Sequence, residues 1–118
     1  MSVKVSVNIK RVYEKPSKED GMRILVDRLW SRGISKEKGK IDLWLKDIEP
    51  SDTLRKWFGH KEQRWEEFKK RYLKELKSNE ETVERLREIS KKNPVTLLYA
   101  AKDQVRNNAV VLRDLLNL

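Results

Sequence analysis

Three short apolar runs alternate along this chain with longer stretches whose apolar residues recur at helical spacing. That alternation restricts the fold more than any other feature. Val3, Val5, Val7 and Ile9 alternate with Lys4, Ser6, Asn8 and Lys10, the period of two that marks a half-buried strand. Ile24, Leu25 and Val26 form a continuous apolar run within Met22 to Asp27. A fully buried strand is expected there, with a helix as the alternative. Val95, Leu97, Leu98 and Tyr99 read as a third, buried strand. Between them, Trp65, Phe68, Tyr72 and Leu76 make one helical stripe. Ser78 and Glu81 fit a capping box opening a helix with Val83, Leu86 and Ile89 on one face, closed before Pro94. Asp103 is expected to N-cap a last helix striped by Val105, Ala109, Leu112 and Leu116. Strands separated by helices imply an α/β fold: a small single layer of partly parallel strands flanked by helices.

The remaining segments punctuate this plan. Pro16 ends the first strand, and Ser17 to Gly21 reads as a turn. Residues 31–40 form a polar loop with Gly33 and Gly39, and 41–48 is ambiguous between a short helix and a strand. Ser51 or Asp52 caps a short helix carrying Leu54, Trp57 and Phe58, which Gly59 stops. Trp44, Trp57 and Trp65 fall on helix-compatible stripes, where core packing is the expected role. No repeat or linker interrupts the chain, and residues 1–118 are read as one domain.

Composition removes whole classes of chemistry. There is no Cys, so disulfides, thiolate catalysis and Cys-metal sites are excluded. A single histidine, His60, cannot build a multi-histidine zinc site. No apolar run approaches the roughly 20 residues of a membrane span, and the alternating N-terminus is unlike a signal peptide. The cytoplasm is the expected compartment and no membrane partner is expected. Lys and Arg number 28 against 19 Asp and Glu, a formal charge of +9. Such a field attracts phosphates, nucleotides and nucleic acids. The charges are nevertheless interleaved, which equally fits the Lys/Glu-rich surface of a heat-adapted protein.

In open α/β sheets ligands bind beyond the carboxyl ends of the strands, and two segments fall there. Asp27-Arg28-Leu29-Trp30-Ser31-Arg32-Gly33 puts an acid, two arginines and an indole together. Guanidinium forks at Arg28 and Arg32 suit a phosphate or carboxylate, and Trp30 suits a flat ring. The plain alternative pairs Arg28 with Asp27 and buries Trp30. After the last strand, Ala100 and Ala101 would let a ligand approach the backbone, with Lys102, Asp103, Arg106 and Asn107 beside them and a helix N-terminus aimed at an anion. The plain alternative there is capping by Asp103. Asp27 and His60 are the candidate acids and bases; a lone His at a helix junction also serves as a cap. Ser-His-acid hydrolysis would need His60 near Ser31, Ser35 or Ser51, but no G-x-S-x-G elbow occurs. P-loop and dinucleotide fingerprints are absent as well. No cofactor or metal is expected.

Several longer motifs recur in order: Lys10-Arg11-Val12-Tyr13, Asp20-Gly21, Val26-Asp27-Arg28-Leu29-Trp30 with Arg32-Gly33, and Ser35-Lys36. Trp44-Leu45-Lys46-Asp47-Ile48, Pro50-Ser51, Leu54-Arg55-Lys56-Trp57-Phe58-Gly59-His60 and Leu97-Leu98-Tyr99-Ala100-Ala101-Lys102-Asp103 follow. Over nearly its whole length the chain resembles the YeaO-like branch of domain-of-unknown-function family 488. The resemblance implies a small α/β protein with an Asp-x-Arg-like motif after one strand and a Lys-Asp plus His motif after the last. Two positions depart from it. Ser31 stands where the branch carries Pro, and Arg106 stands where Asp-x-x-His-Asn carries His, while Asn107 remains. If that His is catalytic, this member has lost or remodelled the activity; if it binds an anion, Arg106 preserves the role.

Three functions follow as expectations. The first is an enzyme or binding domain for a phosphorylated or nucleotide-like anion at the strand ends. The second is a nucleic-acid-binding accessory protein whose Lys69-Lys70-Arg71 and Lys91-Lys92 lie along phosphates. The third is a protein-interaction module without chemistry.

Overall fold

The computed structural model describes residues 7–117. Four parallel strands, β1 (Val7–Arg11), β2 (Met22–Leu25), β3 (Leu43–Trp44) and β4 (Val95–Tyr99), form one sheet in the order β1-β4-β2-β3. The last strand therefore enters between the first two. All five residues of β4 are buried, as expected of a central strand in a parallel sheet covered on both faces. Among the described residues five α-helices accompany the strands: α1 (Lys36–Gly39), α2 (Asp52–Phe58), α3 (Trp65–Lys77), α4 (Glu80–Lys92) and α5 (Asn108–Leu116).

The two faces of the sheet are unequal. On one, Val7, Ile24, Val26, Val95, Leu97 and Tyr99 meet apolar residues of α2–α5, including Phe58, Phe68, Tyr72, Leu86 and Leu112. The periodic stripes of α3 and α4 account for this, with Phe68, Tyr72, Leu76, Val83 and Leu86 buried. On the other face a smaller cluster joins Val12, Leu25, Ile41 and Leu98 under Trp30 and Ile34.

That thinner face carries a buried ion pair. Arg23 Nη1 donates to Asp20 Oδ2 at 2.5 Å, with the two side chains 3% and 9% exposed. Lys10 Nζ lies 3.2 Å from Asp20 Oδ1, and the Ser17 backbone N–H donates to Oδ2. Arg23 Nε donates to the Gly39 carbonyl at 2.8 Å, and the Thr96 hydroxyl donates to the Asp20 carbonyl at 2.7 Å. Burial alone would raise the Asp20 carboxyl, but the bonds from Ser17, Arg23 and Lys10 outweigh it and hold it below its ordinary value. Next to it, Gly21 has φ 63°, and a Cβ there would stand 2.2 Å from the Pro94 carbonyl oxygen. The first crossover can therefore hug the entry to β4 only with glycine at this position.

Several expected details change. The Val3 and Val5 positions of the first strand lie outside the described residues. The turn expected at Ser17 to Gly21 is a 3-10 turn at Lys18–Asp20, capped by Ser17. The polar loop contains α1, capped by Ser35. Residues 41–48 supply both alternatives, β3 and then a 3-10 turn at Lys46–Ile48. Ser51 caps α2 and Gly59 ends it in the left-handed conformation, as expected. The capping box at Ser78 is not formed: Ser78 closes α3, and α4 starts after Asn79 without a side-chain cap. A two-residue link between α3 and α4 leaves the Ser78 backbone helical, the wrong geometry for an N-cap. Trp44 lies on β3 at the sheet edge, 37% exposed, rather than on a helical stripe.

Replacing Asp20 with Asn should destabilise the fold by roughly 3–5 kcal/mol at neutral pH, because it leaves Arg23 buried without its counter-charge. The stabilisation from a depressed carboxyl is complete above its ordinary value of 3.8 and is lost as pH falls through the lower folded value. Urea unfolding of wild type and Asp20→Asn should thus converge in acid. An equal gap at every pH would contradict the assignment.

Candidate functional site

The strands part at their carboxyl ends, and a side chain takes over from the ladder. The last bonds are Val26 N–H to the Leu98 carbonyl and Val12 N–H to the Tyr99 carbonyl, at 3.1 and 2.8 Å. One residue on, Asp27 Oδ2 accepts the Ala100 N–H at 2.8 Å, and Oδ1 accepts from Asn108 Nδ2 at 3.3 Å. From the β1 side the Arg11 guanidinium donates to the Ala101 and Ala100 carbonyls, both at 3.0 Å. The Ala100–Ala101 backbone is thereby pinned from both flanks, and a crevice of about 580 Å³ opens beside it. That volume suits a small organic ligand.

A second carboxylate faces the same space. Glu49 follows the Lys46–Ile48 turn, which the buried Tyr72 hydroxyl anchors by donating to the Ile48 carbonyl at 2.6 Å. Its side chain is 13% exposed. Oε2 accepts the Arg28 backbone N–H at 2.6 Å, and Oε1 lies 3.9 Å from Arg55 Nε, the outer limit of an ion pair. Burial raises the Asp27 carboxyl, and the Ala100 and Asn108 bonds and the Arg55 charge offset only part of that. Burial also raises Glu49; Arg28 and Arg55 pull it down, while the Asp27 charge adds to the rise.

Aromatic groups and cations complete the walls. Trp30 donates Nε1–H to the Ile34 carbonyl at 2.6 Å and meets Trp44 edge-on, centroids 5.3 Å apart. Trp44 in turn donates to the Asp27 carbonyl at 2.7 Å, so the edge tryptophan fixes the loop after β2. Opposite, the Tyr13 hydroxyl donates to the Arg32 carbonyl at 3.1 Å. Arg32 and Lys56 are exposed at the rim and have no ion-pair partner among the described residues. Arg106 is half-buried and reaches Asp103 at 3.1 Å and Glu62 at 3.6 Å.

Of the residues singled out in the sequence, Asp27, Trp30, Arg32, His60, Arg106 and Asn107 line this one crevice. His60 sits on its rim with φ 56° behind Gly59, its ring 5.8 Å from that of Phe58. Arg28 turns its side chain outward to Asp52 at 3.4 Å, contributing only its backbone N–H to Glu49. Lys102 is exposed and does not line the crevice. Asp103 does not cap the last helix. It accepts the Val105 and Arg106 N–H groups in the preceding turn, while Asn107 Oδ1 caps α5 through the Val110 N–H at 3.0 Å. Asn107 Nδ2 also donates to the Asp103 carbonyl at 2.8 Å, so both ends of its amide are committed.

Sequence reasoning missed Glu49, Arg55, Lys56 and Asn108, and weighed Ser31 only as a nucleophile. Ser31 is 4% exposed, and its buried Oγ has no hydrogen-bond partner among the described residues. No local signal marked Glu49: its neighbours Ile48 and Pro50 are buried, but that is settled by packing and not by the sequence around it. The basic clusters offered for nucleic acid are largely paired within their helices, Lys69 with Glu66, Arg71 with Glu67 and Lys91 with Glu88. Among the described residues no helix is long and apolar enough to cross a membrane.

A family model described as the inactive DUF488-N3 subclade matches residues 6–118. The uncharacterised protein YeaO of Escherichia coli strain K12 is 46% identical over 110 residues, spanning 93% of this chain and 96% of its own length. The uncharacterised proteins Rv3073c of Mycobacterium tuberculosis strain H37Rv and Mb3100c of Mycobacterium bovis are each 40% identical over 111 residues, 94% of this chain and 93% of theirs. No solved structure matches the chain.

The raised carboxyls have a consequence for stability. A group that holds its proton more tightly folded than unfolded costs stability as pH rises from its ordinary value, 4.5 for Glu49, through its higher folded value. Glu49→Gln removes one such group. Urea midpoints across that window should fall less steeply with pH in Glu49→Gln than in wild type; parallel profiles would show that Glu49 is not buried as described.

Proposed function

Because this chain belongs to the inactive DUF488-N3 subclade, we propose that it is a binding domain without catalysis, for a phosphorylated, nucleotide-like small molecule. The observation that carries this reading is the crevice at the carboxyl ends of β2 and β4. There Arg32, Lys56 and Arg106 ring a cavity walled by Trp30 and the Ala100–Ala101 backbone. Arg55 offsets the two carboxylates within, so Arg32 and Lys56 remain to attract an anion beside Arg106, which is shared with Asp103 and Glu62. Lower dielectric in a cleft strengthens that attraction. Neither the candidate acid Asp27 nor the position where the family pattern carries its His is well suited to move protons. Asp27 holds the Ala100 N–H and the Asn108 amide, and Arg106 stands where the family pattern puts its His. Arg106 still serves as an anion ligand, the part a guanidinium plays well.

The small-molecule reading ranks ahead of nucleic acid because the intrahelical pairs of α3 and α4 spend much of their positive charge locally. A thermal-shift screen against nucleotides, sugar phosphates, DNA and RNA at low and high salt tests it. A ligand at 100 times its Kd adds about 2.7 kcal/mol of stability. One small-molecule hit should persist in salt, and Arg32→Ala should cut its affinity about tenfold, or about 1.4 kcal/mol. A shift with every polyanion that vanishes in salt would favour nucleic acid. No shift with any compound would remove the binding reading.

A further inference from the structure

The polar groups of the crevice are sorted by depth, and the sorting says which end of a ligand goes in first. We propose that the ligand enters ring first: a nitrogen heterocycle bearing N–H donors faces Asp27 and Glu49, and its phosphate stays outside among Arg32, Lys56 and Arg106. This rests on reading the crevice as a nucleotide-like site, and adds the class of group recognised and its orientation.

The inner wall is rich in acceptors. A carboxylate offers about four lone-pair positions. Asp27 uses two of them, for the Ala100 N–H and the Asn108 amide. Glu49 makes one short bond, to the Arg28 N–H at 2.6 Å, and its other oxygen has only Arg55 Nε at 3.9 Å. Ser31 Oγ is buried and unpartnered among the described residues, and an unmade bond in such a place is costly. That hydroxyl is closed off from the cavity, so the acceptor capacity left over is on the two carboxylates, which both line it. Amino and ring N–H groups of a heterocycle are the complementary donors.

Phosphate is excluded from the interior by the same groups. Pushed inward it would meet two carboxylates against the single guanidinium of Arg55, where water screens little. Left outside it meets the exposed Arg32 and Lys56 and the half-buried Arg106. The volume of about 580 Å³ is far larger than a phosphate needs. The indole of Trp30, held by its bond to Ile34 and by Trp44 at its edge, offers a fixed apolar surface to a ring.

Calorimetric titration of the full chain with adenosine and guanosine, their monophosphates and ribose 5-phosphate tests the orientation. The nucleoside should retain measurable binding, its monophosphate should bind more tightly, and ribose 5-phosphate should bind weakest. Glu49→Gln should weaken a nucleoside and its monophosphate alike, about tenfold, the scale of a hydrogen bond to a charged group. Arg32→Ala should narrow the gap between them. Tighter binding of ribose 5-phosphate by Glu49→Gln, or wild-type affinity for it equal to that for the monophosphates, would place the anion inside. Either result overturns this orientation and leaves the binding reading standing. No binding of any of the five compounds overturns both.

Discussion

The hydrogen bond from the Ala100 N–H to the Asp27 carboxylate is the constraint on which the rest of the site depends. It forms where β2 and β4 cease to pair and marks the carboxyl end of the sheet where the crevice opens. The same carboxylate reaches Asn108, so it also sets the start of α5 against the end of β2. Trp44 bonds to the Asp27 carbonyl and braces Trp30, and Arg11 holds the carbonyls on the far side of Ala100. A backbone amide that would otherwise be orphaned at a strand end is satisfied, as buried backbone groups must be. The loop carrying the crevice-lining residues after β2 is ordered by the same bond.

Electrostatics give this crevice a direction. Carboxylates lie deep, where burial raises both of them, and the cations stand at the mouth. The net charge of +9 is thus a weaker guide than its local arrangement. Along α3 and α4 positive charge is matched by acids one turn away, and such exposed pairs add little stability. At the crevice mouth Arg32 and Lys56 lack such partners among the described residues, and there a charge can act on a ligand. The buried Asp20–Arg23 pair serves the opposite end of β2, holding the first crossover against β4 so that the sheet ends are aligned where the crevice opens.

The parts legible in the sequence were those set by local periodicity. β4, the two long helices and the Ser51 and Gly59 caps of α2 followed from apolar spacing and capping chemistry. Family membership was legible too, because long ordered motifs survive in the chain. Local reading failed where two interpretations of one side chain compete. Asp103 and Asn107 can both cap, and only the path of the turn decides that Asn107 does so for α5. Arg28 and Arg32 looked equivalent, yet Asp52 draws one outward while the other lines the cavity.

By itself the sequence determined β4, the long helices and the two segments that follow strand ends, because hydrophobic period and capping act within a few residues. The insertion of β4 between β1 and β2 was decided only in three dimensions, since strand order depends on contacts between residues far apart in the chain. That order places Ala100 beside Asp27 across 73 positions and brings Glu49 and Arg55 to the same cavity. Nothing in their local pattern reports this, because a residue's depth in a cleft is a property of the packing around it.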